Sequence, residues 1–149
     1  MKLSERLQSV TRLFLDTAPV IYFVEQNPRY VEQTRVVFNL VDDGTLLAVT
    51  SPVTLAECLT LPYRLQRPDA AHAFVELLAA DENVRFVPID EQVADKAAEL
   101  RARYGLALPD SFQIAVAILS DCDAFLTNDL ALKRVTEINA IVLDEMDAE

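Results

Sequence analysis

The sequence predicts a single α/β/α domain with a central, mostly parallel sheet and helices on both faces. Three observations lead there. Five short apolar runs alternate with segments of helical periodicity. No Pro/Gly/Ser-rich linker, repeat or low-complexity stretch divides the chain. Its 149 residues, 52% of them hydrophobic and 25% charged, match one globular domain able to bury a sizeable core.

Taken in order, the first run is LFLD (Leu13 to Asp16), followed by an apolar segment that opens with Pro19. Tyr30, Thr34, Val37 and Val41 then recur at three- to four-residue spacing, which predicts one buried face of a helix. LLAVT (Leu46 to Thr50) is the second run, and Phe74, Leu77 and Leu78 mark a helical face after Pro68. VRFVPI (Val84 to Ile89) is the third, and Val93, Ala97, Leu100 and Tyr104 line a helix starting near Asp90. SFQIAVAIL, after Pro109, is apolar nearly all round and predicts a central, covered helix. AFLT (Ala124 to Thr127) and AIVL (Ala140 to Leu143) complete five strands. Strands alternating with helices imply crossovers of one hand and a sheet buried on both sides. In such sheets, sites form beyond the carboxyl ends of the strands, where the strand order reverses.

Composition removes several classes of chemistry. With only Gly44 and Gly105, neither the G-x-G-x-x-G dinucleotide turn nor the G-x-x-x-x-G-K phosphate loop can exist. The one histidine, His72, lies in a polar position of a surface helix, so histidine triads and poly-histidine metal sites are excluded. Cys58 and Cys122 sit in apolar stretches and read as reduced packing residues. No apolar run reaches the roughly 20 residues of a membrane span. Glu5, Arg6 and Arg12 interrupt the apolar residues at the start, so no signal-peptide core is expected and the cytoplasm is the expected compartment. Acid–base or metal chemistry must therefore run on carboxylates.

Four carboxylates stand out by isolation. Asp16 is the only charge from Leu13 to Val24, Glu57 from Gly44 to Tyr63, Asp110 from Tyr104 to Ser120, and Asp129 from Ala124 to Leu132. The chain average would put one charge in every four residues of these windows; each holds one, always negative. A charge in apolar surroundings costs several kcal/mol unless compensated, and no Lys or Arg lies in any window to do so. A hard divalent cation, Mg²⁺ or Mn²⁺, takes carboxylate oxygens and suits phosphodiester cleavage. Asp16, Asp110 and Asp129 also stand at the starts of helical segments, where aspartate is a favoured N-cap, and Glu57 could be a solvated helix residue.

FLDTAPVIYFVE, the lone glutamate of TLAECL, LPDSFQIAVA and the LTND tetrapeptide together resemble the PIN-domain ribonucleases, above all the VapC-type toxins of bacterial toxin–antitoxin pairs. Order and spacing match from about Phe14 to Leu143. The resemblance implies a PIN-like α/β fold with a five-stranded parallel sheet over residues 13–149, preceded by an N-terminal extension, residues 1–12. It implies Mg²⁺- or Mn²⁺-dependent endoribonuclease activity on single-stranded or loop RNA. Its acidic catalytic and metal-binding positions map onto Asp16, Glu57, Asp110 and Asp129, and its helper polar positions onto Thr17, Thr127 and Asn128. It further implies a cognate antitoxin with a basic or aromatic segment, and a homodimer. Ser111, Pro19 and residues 1–12 depart from the common pattern without removing a carboxylate.

The net charge of −11 works against a polyanionic substrate. RNA contact would depend on local cations, with Arg64 and Arg67 beyond Glu57 and Lys133 and Arg134 past Asp129 as candidates. Weak steering favours a target selected by shape and unstacked bases, such as a tRNA or ribosomal RNA loop. Two other classes compete: a catalytically silent PIN-like binding module in an RNA-associated assembly, which would be marked by a lost carboxylate, and a receiver-type phosphoacceptor domain. The latter needs paired acidic residues after its first strand, and LFLDTAP offers one.

Overall fold

The computed structural model describes residues 1–149. All five apolar runs become strands: β1 (Arg12–Leu15), β2 (Leu47–Thr50), β3 (Val84–Phe86), β4 (Ala124–Thr127) and β5 (Ala140–Val142). They form one sheet in the order β3-β2-β1-β4-β5, and every neighbouring pair is parallel. The third run shortens because Pro88, with no N–H, cannot extend the ladder; its last inter-strand bond is Val87 N–H to the Thr50 carbonyl at 2.9 Å.

Seven α-helices flank the sheet: α1 (Leu3–Arg6), α2 (Thr17–Val24), α3 (Val31–Asp42), α4 (Pro52–Arg64), α5 (Pro68–Val75), α6 (Glu91–Tyr104) and α7 (Leu108–Leu119). Alternate strand residues feed two separate cores. Leu13, Leu15, Ala48 and Leu126 pack with residues of α1 to α5, while Phe14, Val49 and Phe125 pack with α6 and α7. Phe14 and Phe125 stack at 5.0 Å across β1 and β4. The split follows from the strand order. The chain moves one way along the sheet from β1 to β3, then returns past β1 to β4, and a constant crossover hand sends the returning helices to the opposite face. No helix is long and apolar enough to cross a membrane.

Local chemistry sets the helix ends. Asp90 starts α6 by accepting from Val93 N–H at 2.9 Å, and Gly105, at φ +65°, ends it in the left-handed conformation that glycine tolerates best. Ser51 with Pro52 opens α4. Asp16 and Asp129 do cap, at α2 and at the short 3₁₀ turn Leu130–Arg134. Asp110 does not. Ala107 holds the N-cap of α7, and Asp110 lies inside its first turn, because the Leu108-Pro109 pair starts the helix earlier.

Residues before β1 are packed into the domain: Leu3, Leu7 and Val10 are buried in the same core as α3. Lys2 bridges Asp147, and Ser4 bonds the Glu149 carboxylate, so the two ends of the chain meet beside that core.

Candidate active site

The strand order reverses between β1 and β4, and Asp16 stands at that point. Its backbone N–H still bonds the Leu126 carbonyl on β4 at 2.9 Å, so the residue is held in the sheet's register while its side chain starts α2. Asp16 Oδ1 accepts from Thr17 N–H (2.8 Å) and from Gln113 Nε2 (3.0 Å); Oδ2 accepts from the Thr127 hydroxyl (2.7 Å). The residue is only 8% exposed. Burial pushes its carboxyl above the usual range, the bonds from Thr127, Thr17 and Gln113 oppose that rise, and Glu57 adds to it.

Glu57 arrives from α4, six residues into a helix that leaves β2 at its carboxyl end. Its Oε1 accepts from the Thr17 hydroxyl (2.7 Å) and from the same Gln113 Nε2 (3.1 Å), while Oε2 has no hydrogen bond. Asp110 arrives from α7 on the other face of the sheet. Its carboxyl is pushed up to about 6, first by burial and then by the charges of Asp16, Asp129 and Glu57. Asp129 follows β4; its backbone N–H bonds the Thr127 hydroxyl at 3.0 Å and its Oδ1 accepts from Ala131 N–H at 3.0 Å. The fold thus brings Asp16, Glu57, Asp110 and Asp129 into one electrostatic neighbourhood, and no Lys or Arg pairs with any of them.

The four carboxylates do not form a ready-made cage. No three of them approach closely enough to hold one ion as they stand. Like charges repel. Asp16 is locked by three donors and Glu57 Oε1 is held by two, so half-buried Asp110 and exposed Asp129 are the side chains left to close on an ion. The donor set itself fits a hard divalent cation. It is all carboxylate oxygen, it carries raised carboxyls, and spare acceptor capacity remains on Asp16 Oδ2, Glu57 Oε2 and Asp110. Softer donors are absent: Cys58 is buried with its thiol pushed up to about 12, and exposed His72 pairs with Glu76 at 3.5 Å.

Of the helper positions, Thr17 and Thr127 touch carboxylates directly. Asn128 does not; its Nδ2 donates to Tyr22 Oη (3.2 Å) and its Oδ1 accepts from Asp144 N–H (2.9 Å), which fastens the turn carrying Thr127 and Asp129. Two contributors escaped the sequence reading. Gln113 lies one turn past Asp110 and Thr54 one turn before Glu57, and Thr54 Oγ1 donates to Gln113 Oε1 at 2.6 Å. An amide one turn from an isolated carboxylate, in a helix whose only other uncharged polar residue is Ser111, was the available signal.

The proposed RNA-contacting cations divide. Arg67 pairs with Asp69 (3.3 Å), Lys133 with Glu145 (2.9 Å), and Arg134 donates to the Tyr104 carbonyl. Arg64 has no ion pair or hydrogen bond, and it follows Glu57 by seven residues on α4. Two helical turns put it on the same face, roughly 10 Å along the axis.

Comparison with known proteins agrees with this architecture. The family model "PIN domain" matches residues 13–138. Among solved structures, DNA-bound VapBC from Salmonella typhimurium superposes with a TM-score of 0.69 at 21% identity, covering 89% of this chain and 98% of that one. VapBC2 from Rickettsia felis, bound to a promoter DNA fragment, gives 0.68 at 15% identity, covering 89% and 98%. Mycobacterium tuberculosis VapC20, a sarcin-ricin loop cleaving toxin, gives 0.63 at 19% identity, covering 76% and 86%. At these identities the likeness is one of fold. No curated protein sequence matches significantly.

Proposed function

The chain belongs to the PIN-domain family, and from that premise we propose that it is a divalent-metal-dependent endoribonuclease, the toxin of a toxin–antitoxin pair. One observation carries the reading: at the sheet's switch point Asp16 and Glu57 accept from one Gln113 amide, Asp110 stands one turn before that amide on α7, and the Thr127 hydroxyl joins Asp16 to the backbone of Asp129, with no cation among them. Such a cluster is unfavourable empty and favourable when a doubly charged ion joins it.

Asp16, Glu57, Asp110 and Asp129 are the residues that would hold the ion or ions. A bound Mg²⁺ or Mn²⁺ would supply activation of a water and neutralisation of charge developing on the phosphodiester. The protein's own part is positioning. Thr127 and Thr17 orient Asp16, Thr17 also orients Glu57, and the Asn128 ties hold the turn that presents Asp129. The substrate is single-stranded or loop RNA, since splayed bases and a bent backbone can enter a carboxylate-lined site that repels generic duplex. The sarcin-ricin loop activity of the Mycobacterium tuberculosis structural neighbour is consistent with a tRNA or ribosomal RNA loop target. An antitoxin would bring a basic segment, complementary to the four carboxylates, and the toxin would act from a homodimer in the cytoplasm.

The test incubates structured RNAs with the protein in Mn²⁺, Mg²⁺ and EDTA, beside thermal melts. Cleavage should need the cation, and Mn²⁺ at about 100 times its Kd should stabilise the fold by about 2.7 kcal/mol, reversed by EDTA. Cleavage that continues in EDTA removes the metal mechanism.

Arg64 gives a second expectation. With the other three cations already engaged, Arg64→Ala should weaken RNA binding and lower the salt slope of log Kd by about one, whereas Lys133→Ala should change neither. Fluorescence anisotropy across a salt series, with Ca²⁺ in place of the active metal, reads both. Equal effects of the two variants would leave Arg64 no special place in the RNA path.

A further inference from the structure

Gln113 is 1% exposed on the central helix α7, and both hydrogens of its amide go to carboxylates: Nε2 lies 3.0 Å from Asp16 Oδ1 and 3.1 Å from Glu57 Oε1. The other end of the amide is fixed as well, because Gln113 Oε1 accepts from the Thr54 hydroxyl at 2.6 Å. Thr54 is fully buried and its side chain touches neither carboxylate; the only other acceptor near its hydroxyl is the Leu15 carbonyl, at a longer 3.4 Å. A reversed amide would set Oε1 against two carboxylate oxygens, so the Thr54 bond and the carboxylates favour the same orientation. The line Thr54–Gln113–(Asp16, Glu57) therefore ties α4, α7 and the end of β1 at one point.

We propose that Gln113 is a positioning residue that presets Asp16 and Glu57 as a pair for the incoming cation, with Thr54 fixing the direction of its amide. The proposal rests on the reading of this site as a divalent-metal site. Its physical basis is ordering before binding. Glu57 is an exposed side chain on α4 and would otherwise spread over several rotamers; the bonds to Gln113 and Thr17 both consume Oε1 and leave Oε2 without a partner. On Asp16, Oδ1 is occupied twice and Oδ2 once, so spare acceptor capacity lies on Oδ2. Rotamer freedom surrendered during folding need not be surrendered on ion binding.

Isothermal titration of the full chain with Mn²⁺ tests this. Gln113→Leu, similar in volume but without the amide, should weaken the Mn²⁺ Kd about tenfold, as loss of a group that orients a ligand commonly does, at unchanged stoichiometry. Thr54→Val should weaken it less, by about threefold, although residue 54 contacts no carboxylate. The Mn²⁺ concentration that half-activates RNA cleavage should rise in both variants by the same factor as the Kd, because the amide presets the ligands without touching the substrate. General structural damage would lower the stoichiometry and leave the Kd of the folded fraction alone. If Gln113→Leu does not fold, Thr54→Val decides by the same criterion. A native-like Kd in these variants overturns the proposal while the metal reading stands; no Mn²⁺ uptake by the native protein overturns both.

Discussion

Asp16→Asn should lower RNA cleavage by on the order of 10³-fold while leaving the fold intact. The substitution keeps the size of the side chain and the acceptor that Thr17 N–H and Gln113 use, and the new amide nitrogen faces the Thr127 hydroxyl, which can accept from it. The negative charge and the open lone pair of Oδ2 disappear. Asp16 is the most buried of the four carboxylates and the one locked at the switch point, so no neighbouring side chain can take its place. Removing a single preorganised electrostatic group from an active site commonly costs 10²–10³ in turnover, and loss of a direct ligand belongs at the upper end. Stability should respond the other way. Burial pushes the Asp16 carboxyl up, so the charged form is a burden on the metal-free fold, and the asparagine variant should melt no lower than the native protein. Single-turnover cleavage with Mn²⁺, beside melting in EDTA, measures both. Activity within tenfold of native would take Asp16 out of the catalytic centre.

The same side chains explain what sequence could and could not disclose. Strands buried on both faces read as continuous apolar runs, so AFLT and LLAVT announced themselves. Asp16, Glu57, Asp110 and Asp129 were visible because a lone charge in an apolar stretch demands an explanation. Their meeting was not visible from spacing: it depends on the order β3-β2-β1-β4-β5, which sets β4 beside β1 rather than beside β3. Gln113 and Thr54 carry no charge, and one polar residue inside an apolar helix is ordinary; only the bonds at 2.6, 3.0 and 3.1 Å distinguish them. Lys133 looked free because its partner, Glu145, lies on the far side of β5. Asp110 stands at the start of α7 as its sequence suggests, but the Leu108-Pro109 pair places the cap at Ala107, which leaves the Asp110 carboxylate free of the capping role. Charge isolation is a property of the chain, whereas pairing is a property of the fold.

Asp110→Asn should separate function from stability in opposite directions. Cleavage should fall by on the order of 10²-fold, since a half-buried carboxylate facing the other three would be lost from the ion's surroundings. In EDTA at neutral pH, however, the variant should melt higher than the native protein. The native carboxyl is raised from 3.8 to about 6 by burial and by Asp16, Asp129 and Glu57. Between those two values the folded chain holds a proton that the unfolded chain has released, so this group makes stability fall as pH rises through that window. Below about pH 4 both states are protonated and the two proteins should melt alike; above about pH 6 the gap should be fully open. The full shift would correspond to about 3 kcal/mol, but the group is half-exposed and solvent screens it, so about 1 kcal/mol, or roughly 2–4 °C, is the expected gap. Taking the difference between variant and native cancels the opposite trend from carboxylates held below their usual range, such as Asp123 with its bonds from Thr11 and Arg12. Saturating Mn²⁺ should then invert the order, because the native site gains more from the ion than a site with one charge fewer. A gap in melting temperature that stays constant from pH 4 to 7 would mean that Asp110 does not feel the other three carboxylates, and a gap that Mn²⁺ leaves unchanged would mean that the ion does not bind among them.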